Sequence, residues 1–556
     1  MKIIYVFLVL LASEVSAQNF INPLAIPPAL TGNHFQLNLA PSSKQFYPGI
    51  NTNTLGFNGD YLGPTLFIRD GDSVKIDVVN GLVGETTVHW HGLHIPSNMD
   101  GGPHTIIHPN TTWNVGFKVR NRASTCWYHP HPHMETAGQV TLGLAGLIIV
   151  NDEEEDALNL PRTYGLDDFP VVLQDRKYDA NGNFLIEALG DSMLVNGTAK
   201  PFLDCPSQMI RLRILNGSNA RIYNLGFSDN RSFTIIASDG SLLPEAYSTN
   251  RALLANGERV EIIVDLSNDK DNSVVLMSYG SELPNNIPGG STVGMNGNSI
   301  LNKVDFGIMQ LNGLSQTTNP VLSIPTTLSA HTPWSAASAA LTRRKELTGQ
   351  GSVGMGNFSI NNQLFNMNVI NDTVFLDDIE IWEIANISNL AHPFHIHDVP
   401  FYVLSRNGNA PAPHEKGLKD VILVRPNETV RFITKFENYT TGETPYMYHC
   451  HNLVHEDDGM MGQFIVIEKP VSVSEIPLAK KPLLYPNPTN KKLYFNNEDE
   501  PIISFLIFDL TGKTALEGTI KMEKNNSIDV SLLENGLYIM KLKSANKTYH
   551  YKFLKE

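Results

Sequence analysis

Hydrophobic and polar residues alternate along three well-separated segments of the chain. They are residues 71–92, "GDSVKIDVVNGLVGETTVHWHG", residues 209–227, "MIRLRILNGSNARIYNLGF", and residues 376–397, "LDDIEIWEIANISNLAHPFHIH". Alternation with a period of two predicts half-buried β-strands. Gly, Pro and Asn interrupt the pattern at short intervals, as they do in β-sandwich domains. The pattern therefore predicts an all-β protein built from sandwiches.

The first and third segments are copies of one unit. Asp72 precedes His89 by seventeen residues, and Asp378 precedes His395 by the same distance. Their continuations also correspond, since "CWYHPH" followed by "GLAGLIIVND" parallels "YMYHCH" followed by "GMMGQFIVIE". The middle segment keeps the alternation but has no histidine pair. We predict three copies of one sandwich, of which the middle copy lacks metal-binding residues.

Changes in composition predict where the domains end. The acidic connector "NDEEEDALNLP" follows the first copy, a polar stretch near residues 313–323 follows the second, and a linker rich in Pro and Lys follows the third. Beyond that linker lies a basic unit with its own strand pattern. The predicted segments are the domains 18–160, 161–320 and 321–470, the linker 471–482, and the last domain 483–556.

The N-terminus has the pattern of a secretory signal. Lys2 precedes a short apolar run, and small residues precede Ala17, so we expect residues 1–17 to be removed on export. In the oxidising compartment that follows, Cys126 and Cys205 are candidates for a disulfide that would leave Cys450 free. The net charge of −15 argues against a nucleic-acid or anionic-membrane partner.

Histidines are concentrated at both ends of the three-copy region. Ten of the 18 histidines form four clusters: His89 and His91; His129 and His131; His392, His395 and His397; His449, His451 and His455. Residues two apart on a strand point to the same face, so each cluster contains a pair aimed in one direction. Eight imidazoles are too many for one ion, and imidazole suits Cu, Zn, Fe or Ni. We predict a polynuclear metal site between the first and third copies.

Cys450 lies between two histidines of one strand and points to the opposite face. A second set of candidate ligands on that face comprises His392, Cys450, His455 and Met460, with Met461 as the alternative to Met460. Two His, one Cys and a long axial Met are the ligands of a blue-copper electron-transfer centre. Zinc is the alternative metal, but it needs no axial Met and has no redox chemistry. The pattern favours copper.

Four motifs carry a family resemblance. "HWHG", "WYHPH", "HPFHIH" and "HCHNLVHEDDGMM" resemble the copper signatures of the multicopper oxidases, over residues 40–469. Within that family the chain is most similar to the bacterial three-domain cuprous oxidases. The resemblance implies cupredoxin-like Greek-key sandwiches. It also implies an enzyme that takes electrons singly from a small-molecule or metal-ion donor and reduces O₂ to water.

The resemblance implies four copper ions with defined ligands. Type 1 copper would take His392, Cys450, His455 and Met460; type 2 copper would take His89 and His395; the two type 3 coppers would take His91, His129 and His451, and His131, His397 and His449. Every histidine and the cysteine of the family pattern are present. This separates the chain from relatives that keep the fold but have lost copper, such as cell-division scaffolds.

The resemblance also assigns roles to three carboxylates. Asp100 and Glu456 match positions that relay protons to the oxygen site, and O₂ reduction consumes four protons. The alternative for Asp100, in "DGG", is a plain turn residue. Asp420 matches an acidic residue that contacts substrate near type 1 copper, and its alternative is a solvated loop acid.

One segment departs from the copper-efflux members of the family. These proteins carry a long insert rich in Met and His over the type 1 site, whereas residues 334–367 here hold Met355 and Met367 alone of those types. We therefore expect an open type 1 site that favours laccase-like oxidation of phenols, aromatic amines or bilirubin-like pigments. The alternatives are cuprous or ferrous oxidation, and a copper-storing or scaffold protein. We expect a monomer.

The last unit resembles the Por-type (type IX) secretion sorting domain. The residues that carry this are "LLYPNPTNKKLYF", "IFDLTGK" and "LENGLYIMKL". The resemblance implies contact with the secretion machinery, passage through the periplasm and across the outer membrane, cleavage of this unit, and release or surface attachment. The alternative is an ordinary accessory β-sandwich.

Overall fold

A computed structural model describes residues 19–291, 299–469, 482–496, 501–520 and 526–556. The predicted signal peptide and nearly all of the predicted linker lie outside these residues. The chain divides into two compact units, Met1–Lys469 and Pro470–Glu556. Both units are built from β-strands, so the all-β prediction is confirmed.

The first unit contains three sandwiches that share one strand arrangement. In each, a long strand pairs parallel with a second strand, and the second pairs antiparallel with a third. The three strands are His34–Tyr47, Ser73–Asn80 and Thr112–Lys118 in the first copy; Asp168–Tyr178, Met209–Asn216 and Arg259–Asp265 in the second; and Leu341–Thr348, Ile379–Asn386 and Thr429–Lys435 in the third. The predicted internal repeat is therefore present in the fold.

The first sandwich has two sheets that enclose an apolar core. One sheet has the order Ile50–Phe57, His34–Tyr47, Ser73–Asn80 and Thr112–Lys118. The other has the order Ala29–Thr31, Thr65–Arg69, Gly146–Asn151, Ser124–His129 and His89–His91. Alternate residues of the strand Ser73–Asn80 are buried, as the alternation in the sequence predicts.

The third sandwich repeats this arrangement. One sheet has the order Ser359–Ile360, Leu341–Thr348, Ile379–Asn386, Thr429–Lys435 and Phe401–Arg406, and the other has Asp372–Phe375, Met461–Ile467, Tyr446–Cys450, His392–Ile396 and Val421–Val424. A small hairpin of Gly351–Ser352 and Met355–Gly356 lies outside both sheets. Trp382 is fully buried at the centre of this core.

The second sandwich is larger and holds none of the clustered histidines. One sheet has the order Thr198–Ala199, Ser192–Val195, Asp168–Tyr178, Met209–Asn216, Arg259–Asp265, Phe233–Ser238 and Ser241–Thr249, with Phe184–Leu185 beside Asp168–Tyr178. The other has the order Asn22–Pro23, Pro201–Pro206, Asp305–Leu314, Ser273–Tyr279, Tyr223–Phe227 and Ala252–Leu254.

The C-terminal unit is a small sandwich with its own apolar core. Its sheets have the orders Leu483–Tyr485, Lys492–Asn496 and Asn526–Asp529, and Thr514–Thr519, Ile502–Phe508, Gly536–Ser544 and Thr548–Lys555.

Helices are short and connect strands. The described α-helices are Thr136–Thr141, Glu153–Asp156 and Leu453–Asp457, and the 3₁₀-helices are Ser97–Met99, Gly280–Glu282, Ala336–Ser338 and Pro413–Glu415. None of the helices in the described ranges has the length and apolar character needed to cross a bilayer.

All three cysteines are free and buried, so the suggested pairing of Cys126 with Cys205 is wrong. Cys126 lies in a central strand of the first sandwich, and its Sγ is 3.6 Å from Ser124 Oγ. Cys205 lies in the second sandwich, where its Sγ donates to the backbone oxygen of Asn312 at 3.6 Å. Each thiol is enclosed in the core of a different sandwich.

Buried charges join the first and second sandwiches. Glu261 is 1% exposed and accepts hydrogen bonds from Arg211 Nε at 2.9 Å and Arg213 Nη1 at 2.9 Å. The Thr125 hydroxyl of the first sandwich donates to the same carboxylate at 2.6 Å. Burial alone would raise the pKa of Glu261, but the two arginines outweigh it and lower the pKa to about 2.

The pH dependence of this contact is testable with Glu261→Gln. Because the folded pKa of Glu261 lies below its ordinary value of 4.5, its stabilising contribution is complete above pH 4.5 and is lost as pH falls toward 2. We expect the substitution to cost about 3–5 kcal/mol at neutral pH, as when a buried ion pair is broken. In denaturant melts at a series of pH values, the difference from wild type should shrink as pH falls. Glu443→Gln, at an exposed site, serves as the control, and a difference that stays constant with pH would contradict this role.

Candidate metal centre

Adjacent strands within the first sandwich, and likewise within the third, place the histidine pairs side by side. The register aligns His89 with His129, and His395 with His449. The structure brings eight buried rings into one cluster: His89, His91, His129, His131, His395, His397, His449 and His451. Two ring pairs stack across the copies, His89 on His397 and His91 on His395, each with centroids 3.8 Å apart.

Three of these rings point their Nε2 atoms at one another. His449 Nε2 lies 3.2 Å from His131 Nε2 and 3.3 Å from His397 Nε2. The Nδ1 atom of His397 is 2.7 Å from a carboxylate oxygen of Asp100, and that of His449 is 3.1 Å from the backbone oxygen of Cys450. Because Nδ1 donates in both rings, their Nε2 atoms carry lone pairs that face each other. Converging imidazole lone pairs are the arrangement that a shared metal cation requires.

Three further rings have their tautomer fixed in the same way. His89, His129 and His395 donate from Nδ1 to the backbone oxygens of Asp100 at 3.0 Å, Pro130 at 2.8 Å and Asp420 at 2.8 Å. Their Nε2 atoms are buried and have no hydrogen-bond partner among the described residues. Buried polar atoms are rarely left without a partner, so these three nitrogens are available to a metal.

His91 presents the opposite nitrogen. Its Nε2 lies 3.0 Å from a carboxylate oxygen of Asp420, and its Nδ1 lies 3.2 Å from His451 Nε2. Since the carboxylate accepts the Nε2 proton, the lone pair of His91 is on Nδ1. Asp420 thereby selects which nitrogen His91 offers to the cluster.

Six of the eight rings are held in the neutral form by their burial. Burial lowers the pKa of six rings: His91, His129, His131, His395, His397 and His451. For His397 and His451 the pKa falls to about 3. Neutral imidazole is the form that binds metal, so these rings need lose no proton to become ligands.

A second group surrounds Cys450 on the opposite face of its strand. Cys450 Sγ lies 3.5 Å from His392 Nδ1 and 3.8 Å from His455 Nδ1. His392 Nε2 lies 2.8 Å from the Ser388 hydroxyl, which itself donates to backbone and amide oxygens, so His392 Nδ1 carries the lone pair. Burial raises the pKa of the Cys450 thiol, and a thiolate there therefore needs a neighbouring cation.

Both candidate methionines are buried beside this group. Met460 is fully buried in the same apolar core as Cys450, and its backbone oxygen accepts from Cys450 N at 3.0 Å. Met461 begins the neighbouring strand and pairs with His449. The backbone hydrogen bond thus places Met460 next to Cys450 in this core.

The group around Cys450 is covered, so the expectation of an open site is wrong. His392 and His455 are 0% and 1% exposed. The ring of Phe358 lies over both, with centroid distances of 4.8 and 4.4 Å. Val353, in the turn of the small hairpin, is also fully buried, whereas Met355, which begins its second strand, is 78% exposed. Even a short segment closes the site, because it folds back as a hairpin.

Asp100 and Glu456 both contact the eight-histidine cluster. Asp100 carboxylate oxygens lie 2.7 Å from His397 Nδ1 and 3.4 Å from His89 Nδ1. Glu456 carboxylate oxygens lie 3.3 Å from His131 Nδ1 and 3.2 Å from His449 Nδ1. Both acids are 1% exposed. Burial alone would raise the pKa of each, but the adjacent imidazoles outweigh it and lower the pKa below its ordinary range.

Neither role expected for Asp420 agrees with its position. The side chain is 3% exposed, so it is neither a solvated loop acid nor a group that a substrate at the surface can touch. It bonds instead to His91 and, through both oxygens, to the guanidinium of Arg259 at 2.7 and 2.6 Å. Asp420 belongs to the surroundings of the eight-histidine cluster.

Sequence reasoning missed Arg259 and Gly257, which the second sandwich contributes. The segment "NGERVEIIVDL" contains no His, Cys or Met. One signal was available in the sequence, because Arg259 begins the mostly apolar run "RVEIIVD". In the structure this run is a strand whose residues are almost all buried. A charged residue there requires a buried partner.

Comparison with known proteins places this geometry in a wider group. Family models described as multicopper oxidase match residues 40–155, 171–296 and 337–470. A model described as a secretion system C-terminal sorting domain matches residues 483–556. The predicted resemblances are therefore confirmed for both units.

Three relatives illustrate the range of this similarity. The multicopper oxidase mco of Staphylococcus haemolyticus is 36% identical over 448 residues, which is 78% of this chain and 88% of that protein. The cell division protein FtsP of Escherichia coli is 31% identical over 469 residues, 82% of this chain and 94% of that protein. The solved laccase-like multicopper oxidase of Ochrobactrum sp. is 32% identical, with a TM-score of 0.71, covering 80% of this chain and all of that one.

Metal-dependent stabilisation tests whether these nitrogens form a real site. A copper ion that binds the folded chain alone should raise the free energy of unfolding, by about 2.7 kcal/mol at a free concentration near 100 Kd. Mg²⁺ prefers oxygen ligands and should leave the melting temperature unchanged. The substitution His397→Ala should reduce the copper-induced shift, while His108→Ala, at an exposed site, should not. Equal shifts with both metals, or none with copper, would contradict the site.

Proposed function

The chain belongs to the multicopper oxidase family, and we propose that it is an active oxidase that couples one-electron oxidation of organic donors to reduction of O₂ to water. One observation carries the proposal: eight buried imidazoles have converging lone pairs, and His395 and His449 lie on strands that also carry members of a buried Cys–His–His group. The two groups share the strand Tyr446–Cys450. A protein that served only as a scaffold would have no use for so many buried metal-binding nitrogens without partners.

We assign four copper ions to these groups. One is held by His392, Cys450, His455 and Met460, and three are held by the eight-histidine cluster. His89 and His395 take the type 2 position; His91, His129 and His451 take one type 3 position, and His131, His397 and His449 take the other. Copper supplies one-electron redox chemistry at each position.

Cys450 and its neighbours connect the two groups. His449 and His451 flank Cys450 in the chain and point to the cluster, while the Cys450 sulfur points to His392 and His455. The peptide provides a continuous covalent path from the sulfur to both rings. Copper held by the Cys450 group would supply the one-electron acceptor, and this path would connect it to the eight-histidine cluster.

Asp100 and Glu456 are the proposed proton carriers. Each acid contacts two different rings of the cluster, and they lie on separate elements, after Ser97–Met99 and within Leu453–Asp457. Water formation consumes protons inside a volume from which solvent is excluded. Two buried carboxylates beside this volume are groups that can relay protons into it.

We propose laccase-like oxidation of phenolic or related donors. The Ochrobactrum relative has oxidase activity towards lignin model compounds and lignosulfonate. In this chain the hairpin backbone at Ser352 and Val353 is hydrogen-bonded to His455. An electron donor that binds on the outside of the hairpin therefore needs no direct contact with the buried ring. Binding on the outside suits bulky aromatic donors. Met355 and Met367 offer few thioethers for a Cu(I) substrate.

A scaffold function is the second candidate, and the similarity to the cell division protein FtsP favours it. The two functions differ in copper content and turnover, since a scaffold requires neither.

The C-terminal unit supports a proposal about where the protein acts. It carries the secretion sorting domain, and we propose that type IX machinery moves the chain from the periplasm across the outer membrane to the surface or medium. The oxidase would then act on donors outside the cell.

Oxygen uptake measures the proposed activity directly. The copper-loaded protein should consume O₂ with phenols, aromatic amines or bilirubin, and faster than with Fe(II) or Cu(I). Running each donor with and without added copper separates direct turnover from metal handling. A rate that appears only with added Cu(II) would favour metal oxidation, and a copper-loaded protein that consumes no oxygen would leave the scaffold function.

Cys450→Ser tests the assignment of the electron-accepting group. The substitution removes the soft thiolate, so we expect the intense blue absorption to disappear while most copper in the eight-histidine cluster remains. Cys205→Ser, at another buried cysteine, should keep both the colour and the copper. Blue colour that survives in Cys450→Ser would show that the assignment is wrong.

A further inference from the structure

The copper-free second sandwich reaches the cluster through one buried arginine. Arg259 is 1% exposed and donates to both carboxylate oxygens of Asp420, at 2.7 and 2.6 Å. It also donates from Nε to the backbone oxygen of Thr125 at 2.8 Å and from Nη2 to that of Asp239 at 3.0 Å. Thr125 belongs to the first sandwich and Asp420 to the third. One guanidinium therefore bonds to all three copies.

Asp420, which Arg259 holds, also bonds to two proposed copper ligands. Its carboxylate accepts from His91 Nε2 at 3.0 Å, and its backbone oxygen accepts from His395 Nδ1 at 2.8 Å. His91 and His395 come from different copies and stack with centroids 3.8 Å apart. The orientation of this ring pair thus depends on where Asp420 is held.

Two glycines show how closely the second sandwich fits. A Cβ on Gly92, the residue after His91, would lie 2.7 Å from Arg259 Nη2 and 2.9 Å from an Asp420 oxygen. A Cβ on Gly257 would lie 2.7 Å from the His451 ring. Both glycines have positive φ, at 91° and 77°, which a side chain would strain. The segment Gly257–Arg259 is packed directly against the site.

We propose that Arg259 is a positioning residue for the trinuclear site, and that this is the function of the copper-free copy. Arg259 holds Asp420 in the orientation that fixes His91 with its lone pair on Nδ1. The inference rests on the proposed function, because it concerns how the chain holds the proposed copper. It assigns no ligand role to Arg259, which touches neither copper position.

The effect should be selective for one of the two groups. Removing a hydrogen-bond partner of a metal ligand typically changes metal affinity or activity by about 10- to 100-fold. Asp420 is such a partner of His91, and Arg259 acts through Asp420. His392, Cys450 and His455 have no bond to Arg259 or Asp420 among the described contacts. Loss of Arg259 should therefore weaken the trinuclear site and spare the blue one.

The test is Arg259→Met in the full chain, with Arg211→Met as the matched control. Arg211 is also a fully buried arginine of the second sandwich, paired with Glu155 and Glu261, and it bonds to neither Asp420 nor a histidine among the described contacts. Copper content, the blue absorption band and the electron paramagnetic resonance of the non-blue copper are measured for wild type and both variants. We expect Arg259→Met to keep its blue band but to retain trinuclear copper about 10- to 100-fold more weakly. Arg211→Met should lose stability without this selective change.

Three results would overturn the proposed positioning role of Arg259. Equal copper retention and identical resonance spectra in Arg259→Met and wild type would overturn the positioning role. Parallel loss of both copper groups in Arg259→Met and Arg211→Met would assign Arg259 a merely structural role and overturn it too. If the wild type itself holds no trinuclear copper, the proposed function fails and this inference fails with it.

Arg259→Lys keeps the test valid if the methionine variant does not fold. Lysine retains the charge but cannot donate to both oxygens of Asp420 in the same geometry. We expect a blue protein with altered resonance of the non-blue copper and intermediate copper retention. A lysine variant indistinguishable from wild type would overturn the requirement for the two-pronged contact.

Discussion

The fold depends on holding eight imidazoles in one buried volume with their lone pairs facing inward. Such an array is unfavourable by itself, since buried acceptors without donors lose the hydrogen bonds they make in water. The chain offsets part of this cost on the outer side of the rings, where backbone oxygens and the carboxylates of Asp100 and Asp420 accept the N–H groups. Every tautomer fixed in this way leaves one nitrogen free for a cation.

The three cupredoxin-like sandwiches divide the work of keeping those acceptors in place. The first and third supply the rings from within or just after paired strands, whose register aligns His89 with His129 and His395 with His449. The second supplies no ring, but its buried arginines tie the others together, through Glu261 and Thr125 at one point and through Arg259 and Asp420 at another. Loss of metal ligands in one copy has thus left a copy that supports the site.

The alternation of hydrophobic and polar residues predicted the features that depend on the geometry of a single strand. A period of two placed His89 beside His91 and turned Cys450 away from His449, because strand alternation needs no knowledge of distant contacts. Arg259 could not be paired in advance with Asp420, which lies 161 residues away in the chain. The cover over His455 was missed for a related reason, since whether a short segment folds back as a hairpin depends on the surface it meets. The free state of Cys126 and Cys205 likewise follows from which sandwich each occupies.

In the strand Tyr446–Cys450, the successive residues His449 and Cys450 point to opposite faces and belong to different groups of proposed ligands. Both groups therefore depend on the register of this one strand. A slip of one position would exchange the faces, sending the sulfur into the oxygen site and the rings into the apolar core. Phe394 fixes the alignment opposite Cys450, and Gly462 fixes it opposite Tyr448, whose ring fills the space that a Cβ would need. A single substitution in this strand can therefore abolish copper binding and keep the fold, whereas an insertion or deletion within these five residues would disrupt both groups and the apolar core. Divergence in such a protein must take place in loops and in individual side chains.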